Sequence, residues 1–130
     1  MARNTNMGHA ILIVSASEQF VALVRRSLKG FLTIDIRKSA AVARRMIMER
    51  SYDLIVINAP LPDETGEEFA LDAARESGAS ILLVVPTEVY DLVMDHVTDQ
   101  AVLVIAKPFP RGRLDKAIRF LVAVQNMVGE

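Results

Sequence analysis

At 130 residues and 14.3 kDa, with 52% of positions apolar, the chain has the length of one domain and too much apolar content for a disordered segment. No apolar run approaches the ~18 to 20 residues of a membrane span, MARNTNMGH adjoins no signal-type core, and the lack of cysteine excludes disulfides and thiolate metal sites, so a cytoplasmic location is expected. The formal net charge of −1 conceals a segregation: residues 25–50 hold eight Lys/Arg against Asp35 and Glu49, whereas residues 51–100 hold eleven Asp/Glu against Arg75.

HAILIV (9–14) reads as a short continuous strand. Ser17 stands as an N-cap, Phe20, Leu23, Val24 and Leu28 recur at helical spacing, and Lys29 with Gly30 closes that helix. FLTIDI (31–36) alternates like a strand, Ser39 caps a second helix with Val42, Met46 and Ile47 inward, and DLIVIN (53–58) is a third strand. The loop APLPDETG (59–66) continues neither element, because Pro60 and Pro62 remove backbone donors and bias the residues before them away from helix. Asp63 and Glu64 are expected there as solvated turn residues.

A third helix is predicted over about residues 67 to 77, with Phe69 and Ala73 inward and Gly78 as terminator, followed by the strand SILLVV (80–85). Thr87 fits the N-cap of a fourth helix over about residues 88 to 98. Its Val89, Leu92, Val93 and Val97 are assigned to the sheet side; Tyr90 and Met94, at i and i+4, fall on another face, either as an apolar contact patch or as two scattered exposed side chains. AVLVIA (101–106) is a fifth strand, and a last helix carries Leu114, Ile118, Leu121 and Val122. His9 and His96 sit in no ligand-like cluster and are expected as plain surface or helix-side residues, with no metal site.

Five βα units, with strands one, three, four and five almost wholly apolar, predict an α/β fold: a doubly wound parallel sheet with helices on both faces. DLIVINAPLPDETG, with its Pro and Gly positions, and AKPF (106–109) go further. Through them the chain resembles, over about residues 9 to 125, the receiver domains of two-component response regulators. The resemblance implies a single domain with the flavodoxin-like strand order 2-1-3-4-5.

Receivers phosphorylate themselves on an aspartate, using two acidic residues after strand one to hold Mg²⁺, a Thr or Ser after strand four, and a lysine after strand five. The resemblance puts the acidic pair at Ser15 and Ala16, the phosphoacceptor at Asn58, the hydroxyl residue at Val85 and the lysine at Lys107, which alone matches. The aromatic that moves with phosphorylation falls on Val104, and the Lys107-Pro108 bond is implied to be cis. Mg²⁺ wants carboxylate oxygens and an amide is no nucleophile, so these positions spell a degenerate phosphorylation site with no metal and no cofactor. Lys107 then has two fates: it donates to the Asn58 side-chain carbonyl in a neutral-polar plug, or it snorkels to water.

The expectation is a non-enzymatic pseudo-receiver, a phosphorylation-independent module of signal transduction or transcription regulation. Its protein partner or second copy would sit on the face of helix four, strand five and helix five. INAPLPDETGEEFALDAA with KPF most resembles the N-terminal halves of antiterminator regulators carrying an ANTAR RNA-binding domain. That implies a C-terminal output domain beyond Glu130, with RNA contact only through it. Three alternatives stand beside this: a small-ligand or anion sensor in the vacated pocket of Ser15, Asn58 and Lys107; an orthodox phosphoreceiver; and nucleic-acid binding by the basic 25–50 segment, which lacks stacking aromatics. The charge segregation itself reads either as solvated faces or as a field favouring salt-sensitive association.

Overall fold

A computed structural model describes residues 9–28, 33–97 and 100–128. In chain order they form β1 (Ala10–Val14), α1 (Glu18–Arg26), β2 (Thr33–Arg37), α2 (Ala40–Glu49), β3 (Leu54–Asn58), α3 (Gly66–Glu76), β4 (Ser80–Pro86), a 3₁₀ turn (Thr87–Val89), α4 (Tyr90–Val97), β5 (Val102–Lys107) and α5 (Arg113–Val128). The five strands are parallel in the order β2-β1-β3-β4-β5, the flavodoxin-like, doubly wound arrangement. No helix among the described residues is long and apolar enough to cross a membrane.

Successive strand residues point to opposite faces, so continuous apolar strands build two cores. Leu12, Val14, Ile55, Ile57, Leu83 and Val85 meet α2, α3 and α4 on one face. Ile11, Ile13, Leu54, Val56, Leu82 and Val84 meet α1 and α5 on the other. β2 is half-buried along its length, as an edge strand is. Buried Tyr52 donates its hydroxyl to Asp35 on that edge at 2.6 Å; burial first and the Asp35 carboxylate second push the phenol above its usual range.

Several side chains sit differently from expectation. Leu23 is exposed, because α1 packs along the i, i+4, i+8 line of Phe20, Val24 and Leu28. On α2, Met46 and Ile47 pack against the core as expected but stay half-buried, as does Val42, while Ala40 and Ala43 are fully buried. The assignment of helix termination to Lys29 and Gly30 lies outside the described residues. α3 starts at Gly66, where Thr65 Oγ1 accepts from Glu68 N, and ends before Ser77 rather than at Gly78. A Cβ on Gly66 would stand 2.7 Å from Ala59 Cβ, so only glycine lets α3 begin this close to the end of β3.

α4 differs most. Thr87 opens the 3₁₀ turn instead of capping a helix, and its Oγ1 donates to Lys107 O at 2.9 Å. Val93 and Val97 are buried, but Val89 and Leu92 are 38% and 58% exposed rather than turned to the sheet. Val89 lies in the 3₁₀ turn, out of phase with the helix after it, and Leu92 stands about 100° round the helix from buried Val93.

Candidate functional site

Parallel strands deliver their last residues to one edge of the sheet, and four of the singled-out positions lie there. Ser15 follows β1, Asn58 ends β3, Val85 lies near the end of β4 and Lys107 ends β5. Lys107 Nζ donates to Asn58 Oδ1 at 2.6 Å, and Asn58 Nδ2 donates to Ser15 Oγ at 3.1 Å. Ser15 Oγ also accepts from Ser17 N at 3.0 Å and donates to Ser17 O at 3.3 Å, just ahead of the α1 cap that Ser17 forms on Phe20 N. The result is a continuous run of hydrogen bonds from β5 across β3 to the start of α1.

Ser15 and Asn58 are buried and Lys107 is half-buried; desolvation pulls the Lys107 ammonium below the usual lysine range. The amide suits this place because it accepts from the cation on one side and donates to a hydroxyl on the other. Ala16 is exposed and has no polar side-chain group. Val85 is buried opposite Ala106 in the β4–β5 register, and Val104 is buried in the core facing α4. Both Lys107-Pro108 and Ala59-Pro60 are cis.

These residues do not fit Mg²⁺. The side-chain oxygens of Ser15 and Asn58 are neutral and already engaged, and no group of three or more His, Asp or Glu among the described residues is placed to hold a metal ion.

Other singled-out residues lie elsewhere. His9 is buried at the opposite end of β1, its Nδ1 3.7 Å from Asp53 Oδ2, which corrects the expectation of a plain surface residue. His96 is exposed, with Nδ1 on Glu67 of α3. Tyr90 is half-buried against the core while Met94 is 37% exposed.

The loop between β3 and α3 is better built than its turn-like sequence suggests. Asp63 is no idle turn residue: its carboxylate accepts from Ala40 N and Ala41 N, both at 2.9 Å, and these bonds hold it below the usual carboxylate range. Glu64 accepts from Arg44 at 2.6 Å; Arg44 also meets Asp72 at 2.8 Å and lies over the Phe69 ring. The Glu64 bond raises the guanidinium above its usual value. Part of the basic segment is thus neutralised internally, Arg44 in this way and Arg50 by Asp35. The signal for Asp63 was its place just after two prolines, but its partner lies 23 residues upstream.

An apolar pocket of about 280 Å³, with Val85 and Ala59 in its wall, opens between α3 and α4 beside this loop; nothing in the sequence pattern marks it. A second cavity, of about 380 Å³, lies by Ser15 and is lined in part by Arg25 and Lys38.

No protein-family model matches the chain, and no curated protein matches it. Solved structures do. A signal receiver domain of an HD domain-containing protein from Pseudomonas fluorescens Pf-5 is 19% identical with a TM-score of 0.81, over 98% of this chain and 95% of that one. A two-component response regulator from Clostridium difficile is 18% identical with a TM-score of 0.76, over 91% and 98%. A protein described as an adenylate cyclase from Rhodopirellula baltica is 18% identical with a TM-score of 0.80, over 93% and 92%. The chain therefore has the fold of response-regulator receiver domains.

Proposed function

We propose that the chain is a receiver-like regulatory module that acts through protein contacts, without aspartyl phosphorylation, Mg²⁺ or catalysis of its own. The observation that carries this reading is the 2.6 Å bond from Lys107 Nζ to Asn58 Oδ1, backed by Ser15: neutral groups fill the place of a phosphoacceptor and its metal ligands. The experiment is thermal unfolding with Mg²⁺ and beryllium fluoride, a phosphate mimic. Tm stays unchanged if the reading holds, whereas a saturable rise would mean an orthodox phosphoreceiver.

The contact surface of this reading is the α4–β5–α5 face. Exposed Asp91 and Met94 lie on α4, while exposed Arg111, Arg113 and Lys116 lie at the start of α5. A two-fold pairing sets Asp91 of one copy against the basic start of α5 of another, with Phe120, 59% exposed, between them. Sedimentation velocity is expected to give a dimer that weakens with salt and is lost in Phe120→Glu.

Anion sensing is a second reading, favoured not by a pocket of Ser15, Asn58 and Lys107 but by the cavity beside Ser15, which Arg25 and Lys38 line together with Glu18. It predicts a rise in Tm with inorganic phosphate alone. A role in antitermination would draw its RNA contact from a segment outside residues 1–130; salt-sensitive RNA retention by these residues alone would overturn that.

A further inference from the structure

Val89 and Leu92 are exposed apolar residues, and both line the pocket between α3 and α4. Its other walls include Ala59, Val85, Pro86 and Val93, of which Ala59, Val85 and Val93 are buried. At about 280 Å³ it is at the small end for a cofactor-sized ligand, but it accommodates one or two bulky side chains.

Charge selects what those side chains come with. Glu68, Glu88 and Asp95, all exposed, stand on the two helices and the turn that form the pocket. From residue 76 to residue 106 the sequence has no Lys or Arg, so no cation from the same stretch answers them. Glu67, within the pocket wall, pairs with the exposed His96. An apolar slot with Glu67 in its wall and exposed carboxylates on the elements beside it repels acidic segments and draws basic ones, while the slot supplies the desolvated anchor.

From this we infer that the α3–α4 pocket is a docking site for a short basic segment of another protein, with one large aliphatic or aromatic side chain seated against Val85 and Leu92 and Lys or Arg over Glu88 and Asp95. The inference rests on the reading of the domain as a contact module but uses a different flank of α4 from the self-association face. On α4, Leu92 lies on the α3 side, where His96 reaches Glu67; Met94 lies two residues on, about 200° around the helix from Leu92.

The test is an amide chemical-shift titration of the whole chain with a synthetic peptide of about 15 residues, a single leucine among lysines. Two control peptides replace the lysines by glutamates or the leucine by serine. The basic peptide is expected to shift Gly66, Val85 and Leu92 saturably, and to lose about tenfold in affinity between roughly 50 and 300 mM salt. Either control, and either Leu92→Glu or Glu88→Lys with Asp95→Lys, is expected to weaken binding about tenfold or more. Phe120→Glu is expected to leave it unchanged, which separates this site from the dimer face.

Shifts mapping elsewhere, equal binding of the glutamate peptide, or no saturation would overturn the proposal. So would salt-sensitive self-association that Leu92→Glu abolishes and Phe120→Glu does not, which would give the pocket to a second copy of the chain.

Discussion

Asn58 owes its position to having two faces of opposite hydrogen-bonding sense, with Lys107 on the oxygen and Ser15 on the nitrogen. Asn58→Leu would remove both and leave a half-buried cation without that acceptor, while the Ser15 hydroxyl keeps its bonds to Ser17. A loss of about 1–3 kcal/mol is expected in denaturant unfolding. Adding Lys107→Met should cost less than the sum of the two single losses, because the two side chains share one bond. Lys107 also sets a pH dependence. Burial lowers its folded value below the ordinary 10.5, so the unfolded chain holds the proton more tightly and stability rises as pH climbs from the folded value towards 10.5. That rise should be absent in Lys107→Met. Of the two fates open to Lys107 in the sequence, the structure has the ammonium on Asn58; Ser15, 43 residues from Asn58, is a partner that no spacing rule identifies.

At the scale of elements, loop 59–66 is held by what it does for its neighbours. Asp63 closes the amino end of α2 next to Ser39, where a helix leaves backbone N–H groups unpaired. Its carboxyl titrates below the ordinary 3.8, so its stabilisation is complete above that value and fades as pH falls through the folded one. Asp63→Ala should therefore lower Tm at neutral pH, and the difference should vanish in acid. Gly66→Ala drives a Cβ into Ala59 and is expected to cost about 1–3 kcal/mol, whereas Gly78→Ala meets nothing within 4 Å and should stay within about 0.5 kcal/mol. Strands one, three, four and five were legible as apolar runs. The facing of α4 was not, because a 3₁₀ turn leaves no mark in the hydrophobic pattern and yet changes which flank Val89 occupies.

Over the whole molecule, the parallel sheet gathers residues far apart in sequence at one edge and leaves the helices to carry the charge. The segregation seen in composition is partly cancelled inside the fold, where Arg44 bridges α2 to Glu64 and α3, and partly left at the surface on α4 and at the start of α5. Uncancelled surface charge at close range makes association sensitive to ionic strength. Raising salt from roughly 50 to 500 mM should therefore shift a sedimentation equilibrium towards monomer and leave Tm of the monomer nearly unchanged, since the sheet core is apolar.

The sequence by itself determined the order of elements, the doubly wound sheet and the chemistry of each position at its carboxyl edge. Apolar period, caps and prolines are local properties, and the identities of Ser15, Asn58, Val85 and Lys107 need no coordinates. Only the tertiary structure decided which of them touch. It closed Lys107 onto Asn58 and Asn58 onto Ser15, bound Asp63 to α2, and opened an apolar pocket between α3 and α4. Contacts of that kind depend on how helices are set on the sheet to within an ångström or two, a quantity fixed by the packing of the whole chain and not by any one stretch of it.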